Sequence, residues 1–439
     1  MIHEIKIKNF LSFKDEVTFS FEATKDKSLE EYYVREVAGL RLLRLAVVYG
    51  ANASGKSNLL NVFEFLKMFA LNKSENKTEE TGVIPFLLDK EKPNQPSELS
   101  ISFVTEGKRY LYSLIIDENI VHSEKLYVYP KNQPALVFER IFNNNVSEIT
   151  FNPKRVKIPQ IAKEEIIIKC LPNMSVFAAY NQVNISIEDI DKAIEWIAKK
   201  HINHVEPQLR VSNFAEKVLA EKPEIKESIL SFLKAADFNI TDIITEMETR
   251  KIPEEYIDKL LLEAEGIPNE EKERLRRERS YQAPKTNFKH RVENIRGEEF
   301  YNLPKELQSE GTKRIFGLAV IINTLVKSNA FLAIDEIESS LHPKLIEFLL
   351  EDFLKLEGES QLLLSTHYDG LLEEEDLLRK DSIWFTSKKV DGSTEVYSLA
   401  DFKGLNRIAS LRKAYRHGNF GATPNIMWYG RTETSSKRY

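Results

Sequence analysis

The stretch from Leu42 to Phe69 constrains this chain more than any other. A largely apolar run, Leu42 to Tyr49, leads into Gly50-Ala51-Asn52-Ala53-Ser54-Gly55-Lys56-Ser57. Leu59, Leu60, Val62, Phe63, Leu66 and Phe69 then recur at helical spacing. Strand, glycine-bounded loop and helix form the context in which G-x-x-x-x-G-K-[ST] is a phosphate-binding loop rather than a chance turn. The glycines let the backbone curl until its N–H groups converge on the β- and γ-phosphates, and the helix N-terminus adds partial positive charge. Lys56 is expected to neutralise phosphate oxygens and the Ser57 hydroxyl to ligate Mg²⁺. Gly50, Asn52, Ser54, Gly55 and Asn58 complete the expected contacts to a nucleoside triphosphate.

With 439 residues the chain has room for two or three domains. Its 42% hydrophobic and 30% charged residues are ordinary for a globular protein. No apolar run approaches the roughly 20 residues needed to span a bilayer, and the N-terminus has no signal-peptide pattern. Cys170 is the only cysteine, which rules out an intrachain disulfide. These features lead to the expectation of a cytoplasmic protein without a membrane partner. At a net charge of −6, any nucleic-acid contact has to come from a local basic patch.

Residues 2–21 alternate, with Ile5 and Ile7 before a short loop and Val17, Phe19 and Phe21 after it, which predicts an antiparallel pair. Beyond the first helix, period-2 runs at 99–104, 109–116, 125–129 and 135–142 predict an antiparallel meander inserted after the phosphate loop. From about Ser186 to Arg279 the period becomes helical, beginning with Ile187, Ile190, Ala193, Ile194 and Ile197. Glu270 to Arg279 is almost all charge and reads as a solvated helix or an exposed loop. His201 and His204 would share a helix face, reading as surface in the absence of nearby cysteines. Cys170, after an Ile-rich strand, reads as core. Asn406 to His417 reads as a basic helix and Arg431 to Tyr439 as a frayed tail.

A second cluster of chemistry lies beyond residue 300. Phe331-Leu-Ala-Ile-Asp335-Glu336 is an apolar strand ending in two acids, and such strands deliver functional residues at their carboxyl ends. Asp335 is expected to hold Mg²⁺ through water, and Glu336 to polarise the attacking water. Neighbouring acids point to opposite faces of a strand, so they serve two roles only where the strand is ending. Upstream, Ser309 and Gly311 precede an apolar helix, a second anion-binding arrangement. Downstream, Gln361-Leu-Leu-Leu-Ser365 ends in Thr366-His367. A histidine there can hydrogen-bond a γ-phosphate or the attacking water, although a purely structural histidine would look the same in isolation.

The order of phosphate loop, Ser309-x-Gly311-Thr312, Asp335-Glu336, Ser339-Ser340-Leu341-His342-Pro343 and Ser365-Thr366-His367 resembles ABC-type ATPases. Within them it is most similar to the SMC-like branch of chromosome and repair ATPases, and to the AAA-type, OLD-like ATPases of bacterial phage defence. The closing Leu411-to-Pro424 stretch resembles abortive-infection ATPases of the RloA and PARIS type. The resemblance implies an α/β P-loop NTPase with an antiparallel β insertion and a helical insertion, using ATP and Mg²⁺. It implies that Ser309, Gly311 and Thr312 act on a γ-phosphate bound by the other protomer of a homodimer or higher homo-oligomer. It also implies that His367 is the switch histidine and that the 338–343 turn couples two sites. The signature departs from the transporter pattern at Gln308 and Glu310. The glutamine that links Mg²⁺ to the helical region has no obvious counterpart, and Gln182, at the end of the meander, is the candidate metal contact.

The corresponding divisions are 1–185 with the phosphate loop and meander, 186–287 as helical insertion, 288–400 with the second cluster, and 401–439 as basic helix and tail. Three functions fit such a chain. One is a regulatory ATPase that holds or releases an effector, with a TOPRIM or HNH nuclease as the expected partner and DNA or a phage protein as trigger. Another is an SMC-like DNA-repair or DNA-sensing ATPase, which the lack of a long heptad array weakens. The third, a single-chain nuclease, is disfavoured because 72 residues follow His367 and contain no Asp-x-Asp pair.

Overall fold

The computed structural model describes residues 1–424 apart from 145, 237, 254, 256 and 258–268. These form two units: 1–207 with 325–338 and the residues from 350 onward, and 208–324 with 339–349.

In the first unit, two kinds of strand sequence become two kinds of sheet. The alternating segments are β1 (Ile2–Lys8), β2 (Val17–Ser20), β6 (Ser97–Thr105), β7 (Lys108–Ile116), β8 (Val121–Tyr129), β9 (Ala135–Asn143) and β10 (Val146–Phe151). They pair antiparallel in the order β10-β9-β8-β7-β6-β1-β2. Ile5 of β1 faces Phe19 of β2 on one side and Ile101 of β6 on the other. The meander is therefore continuous with the N-terminal hairpin. A small hairpin, β3 (Val34–Val37) and β4 (Leu40–Leu43), comes after the first pair.

Largely apolar runs supply the centre of the second sheet as β5 (Leu45–Gly50), β14 (Phe331–Ile334) and β15 (Gln361–Thr366), and the more mixed β16 (Ile383–Lys388) and β17 (Thr394–Ser398) complete it. Its order is β14-β15-β5-β16-β17, parallel except for the β16–β17 pair. Every residue of β5, β14 and β15 is buried, as expected for strands covered on both faces. The helix Lys56–Leu71 buries Leu59, Leu60, Val62, Phe63, Leu66 and Phe69, the positions its spacing marked. Its Phe63 ring lies 4.9 Å from Phe331 of β14 and 6.4 Å from Phe19 of β2, and Phe19 lies 4.8 Å from Trp384 of β16. Aromatic packing thus joins the helix to both sheets. Gln361 adds a polar tie: its amide donates to the carbonyls of Ile2 (2.9 Å) and Leu43 (3.0 Å).

The second unit contains the helices Val211–Glu221 and Lys226–Ala235, and an antiparallel sheet of β11 (Ile240–Lys251), β12 (Ser280–Asn294) and β13 (Gly297–Pro304). The helix Glu310–Ser328 begins there. The expectation of helix throughout 186–279 fails at β11. Its β-branched run Ile240, Thr241, Ile243, Ile244 and Thr245 pairs with β12, and pairing with a distant strand outweighs local spacing. The charged segment forms a helix, Asn269–Glu278, whose Leu275 is buried with Ile252 and Ile257.

Other local expectations need correction. The run before Cys170 is a helix, Gln160–Lys169, although Cys170 is buried as expected. His201 and His204 do not share a helix, because His201 forms an isolated bridge with Phe331 and is buried. The C-terminal helix is shorter than predicted, Leu411–Arg416, and starts where Ser410 accepts from Lys413 N (3.1 Å). The 431–439 tail lies outside the described residues. Among the described residues no helix is long and apolar enough to cross a membrane.

Candidate nucleotide site

β15 lies between β14 and β5, so the carboxyl ends of three parallel strands adjoin, the place where open α/β sheets bind ligands. The register pairs Tyr49 with Thr366 and Ile334 with Leu364. The phosphate loop, Asp335 and His367 therefore emerge at one edge although 311 residues separate Lys56 from His367.

The loop is braced by residues that carry no sequence signal. Ser54 Oγ and Thr386 Oγ1 lie 2.6 Å apart. Thr394 Oγ1 is 2.9 Å from the Ser54 carbonyl and 2.8 Å from Ser12 Oγ, and Asn58 Nδ2 donates to Ser12 Oγ at 2.8 Å. A Cβ at Gly55 would lie 2.3 Å from Thr394 Oγ1, and Gly55 has a φ of +105°. Glycine is thus required at Gly55 on two counts. Thr386 and Thr394 belong to the β16–β17 hairpin, and no spacing relative to the loop could have singled them out.

The loop lines a cavity of about 590 Å³ whose walls include Asn52, Ser57, Glu336 and His367. Lys56 is buried, and its Nζ donates to the carbonyls of Gly50 (3.0 Å) and Ala51 (3.3 Å). Desolvation lowers its pKa, opposed by the nearby Asp335, Glu336 and Glu338. It also lies 3.0 Å from His367 Nε2. An ammonium can only donate, so Nε2 is the acceptor of a neutral ring. The His367 pKa is itself lowered, first by desolvation and then by the Lys56 charge, which favours that neutral form.

Ser365 organises the acids. Its hydroxyl donates to Asp335 Oδ1 and accepts from Glu336 N at 2.9 Å. Glu336 has a φ of +46°, so the strand has ended and the two carboxylates escape strict alternation. Glu338 fixes the Thr366–His367 segment: its carboxylate accepts from His367 N at 2.5 Å and from Thr366 Oγ1 at 2.7 Å. Ser57 and Asp335 offer a hydroxyl and a carboxylate, hard oxygen donors that fit Mg²⁺. Among the described residues no group of three His, Cys, Asp or Glu is placed to hold a metal ion by itself. A cation held partly by phosphates and water needs no such cage.

In the second unit, Ser309 Oγ accepts from Thr312 N (3.1 Å) and caps the helix Glu310–Ser328. A Cβ on Gly311 would stand 3.0 Å from the Ser340 carbonyl oxygen, so a small residue is required there. Gln182 is exposed and its amide donates to Ala178 O at 3.1 Å, so its side chain folds back on its own turn. It is not among the residues lining the cavity.

A family model described as "AAA domain, putative AbiEii toxin, Type IV TA system" matches residues 45–148 and 206–373. No curated protein matches the chain. Among solved structures, the SMC head domain from Thermotoga maritima is similar at 13% identity, covering 90% of this chain and 98% of that one with a TM-score of 0.39. An SmcHead bound to the C-winged helix domain of ScpA is similar at 14% identity, with coverage of 94% and 99% and a TM-score of 0.41. An Smc head domain with an extended coiled coil, bound to the C-terminal domain of ScpA and derived from Pyrococcus furiosus, is similar at 14% identity. Its coverage is 95% and 98%, and its TM-score 0.39.

Proposed function

The chain belongs to the AAA domain family of the AbiEii type, a P-loop ATPase class, and we propose that it hydrolyses ATP at the Lys56 loop and uses the cycle to control a partner protein. The observation that carries the reading is the single hydroxyl of Ser365 holding both the Asp335 carboxylate and the Glu336 backbone, beside a lysine hydrogen-bonded to His367.

In this reading Lys56 exchanges the carbonyls of Gly50 and Ala51 for phosphate oxygens, and the loop N–H groups take the rest of the charge. Ser57, and Asp335 through water, would hold Mg²⁺, which would neutralise charge on the phosphates. Glu336 accepts a proton from the attacking water. Once Lys56 has turned to the phosphates, the neutral His367 ring, its proton then on Nε2, donates to the γ-phosphate or orients that water, its backbone held in place by Glu338. Ser309, Gly311 and Thr312 cap the triphosphate of a second copy, so that two nucleotides are enclosed between two chains. ATP-driven closure then holds or releases an effector, a nuclease of TOPRIM or HNH type acting in phage defence, with DNA or a phage protein as trigger.

Glu336→Gln tests the reading. Turnover is expected to fall by roughly a hundredfold or more while ATP stays bound, and light scattering should register a dimer with ATP and a monomer without it. Lys56→Ala, run beside it, should abolish ATP binding. Turnover of the Glu336→Gln protein at the parental rate would remove the base assignment, and an ATP-loaded protein that stayed monomeric would remove the shared site.

A further inference from the structure

The cavity that holds the phosphate loop has a second wall of opposite character. It is formed by Ile84, Leu87 and Leu88, which belong to the segment Val83-Ile84-Pro85-Phe86-Leu87-Leu88. These three side chains are 47%, 63% and 65% exposed although they stand within five residues of one another. Single exposed leucines need no explanation, but a contiguous apolar strip at the mouth of a polar cavity does.

The strip is not a loose loop. Phe86 between the exposed residues is buried, and its N–H donates to Asn9 Oδ1 at 3.2 Å. The Ile84 carbonyl accepts from Leu11 N at 2.8 Å. Asn9 continues through its amide to the carbonyls of Lys92 (2.9 Å) and Gln95 (2.8 Å). Lys14 pairs with Asp89 at 2.9 Å, just beyond Leu88. Leu88 also packs over Gly392, where a Cβ would lie 2.6 Å from its Cδ1. The polar groups of Ile84 and Phe86 named here are spent on the fold, and the strip turns aliphatic side chains outward.

We propose that the Ile84–Leu88 strip is the platform for the base of the nucleotide whose phosphates the Lys56 loop holds. The proposal rests on the assignment of that loop to a nucleotide. One cavity of about 590 Å³ contains both walls, within the roughly 300–1,000 Å³ of small-molecule sites. The ionic end takes the triphosphate, and the flat, hydrophobic face of a purine covers leucine and isoleucine that otherwise face water. A platform of this kind grips the face of the base and leaves its hydrogen-bonding edge unread. The strip itself therefore does not separate adenine from guanine, because strong rejection of a close analogue requires a polar group that the wrong base leaves unpaired.

Calorimetric titration with ATP, GTP and inorganic tripolyphosphate tests this on the full chain and on the variants Ile84→Ser and Leu87→Ser. Both positions are exposed, so both variants are expected to fold. The parent should bind ATP and GTP within about tenfold of each other, and each variant should lose about tenfold or more in ATP affinity while binding tripolyphosphate as before. ATP affinity unchanged in both variants overturns the platform, with or without altered self-association; an accompanying loss of self-association would reassign the strip to a protein contact. Equal losses for ATP and tripolyphosphate also overturn it, since the strip would then act through the loop. GTP rejected a thousandfold overturns the face-only reading. A parent that binds neither ATP nor tripolyphosphate fails the phosphate-loop assignment itself, a result distinguishable from all the others.

Discussion

Ser365 shows how much one hydroxyl can decide. Removing it leaves Asp335 Oδ1 and the Glu336 N–H without their shared partner, at a point where Glu336 already occupies the left-handed region. An unmet polar group and a strained residue side by side should relax by moving the Glu336 carboxylate. Ser365→Ala is therefore expected to lower kcat by about tenfold or more while ATP affinity stays within a few-fold, because the loss falls on orientation rather than on phosphate contacts. Ser365→Thr, which keeps the hydroxyl, should restore most of the rate. A Ser365→Ala protein with parental kcat would mean that the strand end holds the acids unaided. Asp335, Glu336 and His367 were each legible as residues at strand ends. Ser365 was legible only as the end of its strand and the start of the Ser365-Thr366-His367 run; its bonds to both acids were not, since they depend on which strand lies beside it.

At the scale of elements, buried charge locks the meander to the turn at 171–176. Arg140 of β9 and Glu124 of β8 are both fully buried and 3.6 Å apart. Arg140 reaches Ser147 Oγ (2.8 Å) and the carbonyls of Leu171 (3.0 Å) and Pro172 (2.9 Å). Glu124 accepts from Val176 N (2.9 Å) and Tyr112 OH (3.0 Å), and burial raises its pKa. The pair thereby holds both ends of that turn against the sheet. Arg140→Leu leaves Glu124 buried without its cation and is expected to destabilise the protein by about 3–5 kcal/mol, read as a lower urea midpoint. A midpoint unchanged by that substitution would count against the buried pair. The C-terminal helix is a different case. Its positive charge was visible in the sequence, but Arg412 is committed to Asp369 (3.0 Å) and Glu373 (2.9 Å), and Arg416 to Asp369. Charge alone could not distinguish a solvated helix from a docked one.

For the whole molecule, folding and proton binding are linked through His201. Its ring is buried beside Phe331 (5.4 Å) and Phe63 (6.4 Å), and desolvation draws its pKa down from 6.5 to about 3. The fold thus favours the neutral ring, so the contribution to stability is complete above about pH 6.5 and shrinks as pH falls from there towards 3. By pH 4 the loss from this group alone is on the order of 3 kcal/mol. Chemical denaturation between pH 7 and 4 should show the parent losing stability by about that much more than His201→Phe, and parallel curves would mean that the ring is protonated without penalty. The sequence by itself determined the loop, the helix after it, the alternating and continuous strands, and the acids at a strand end, because each is written in a window of a few residues. The tertiary structure decided which strands adjoin, and with them the bracing threonines, the serine shared by two acids and the strand hidden in a helix-like stretch. Those outcomes depend on hydrogen bonds and packing between segments from about thirty to more than three hundred residues apart, and no local period records them.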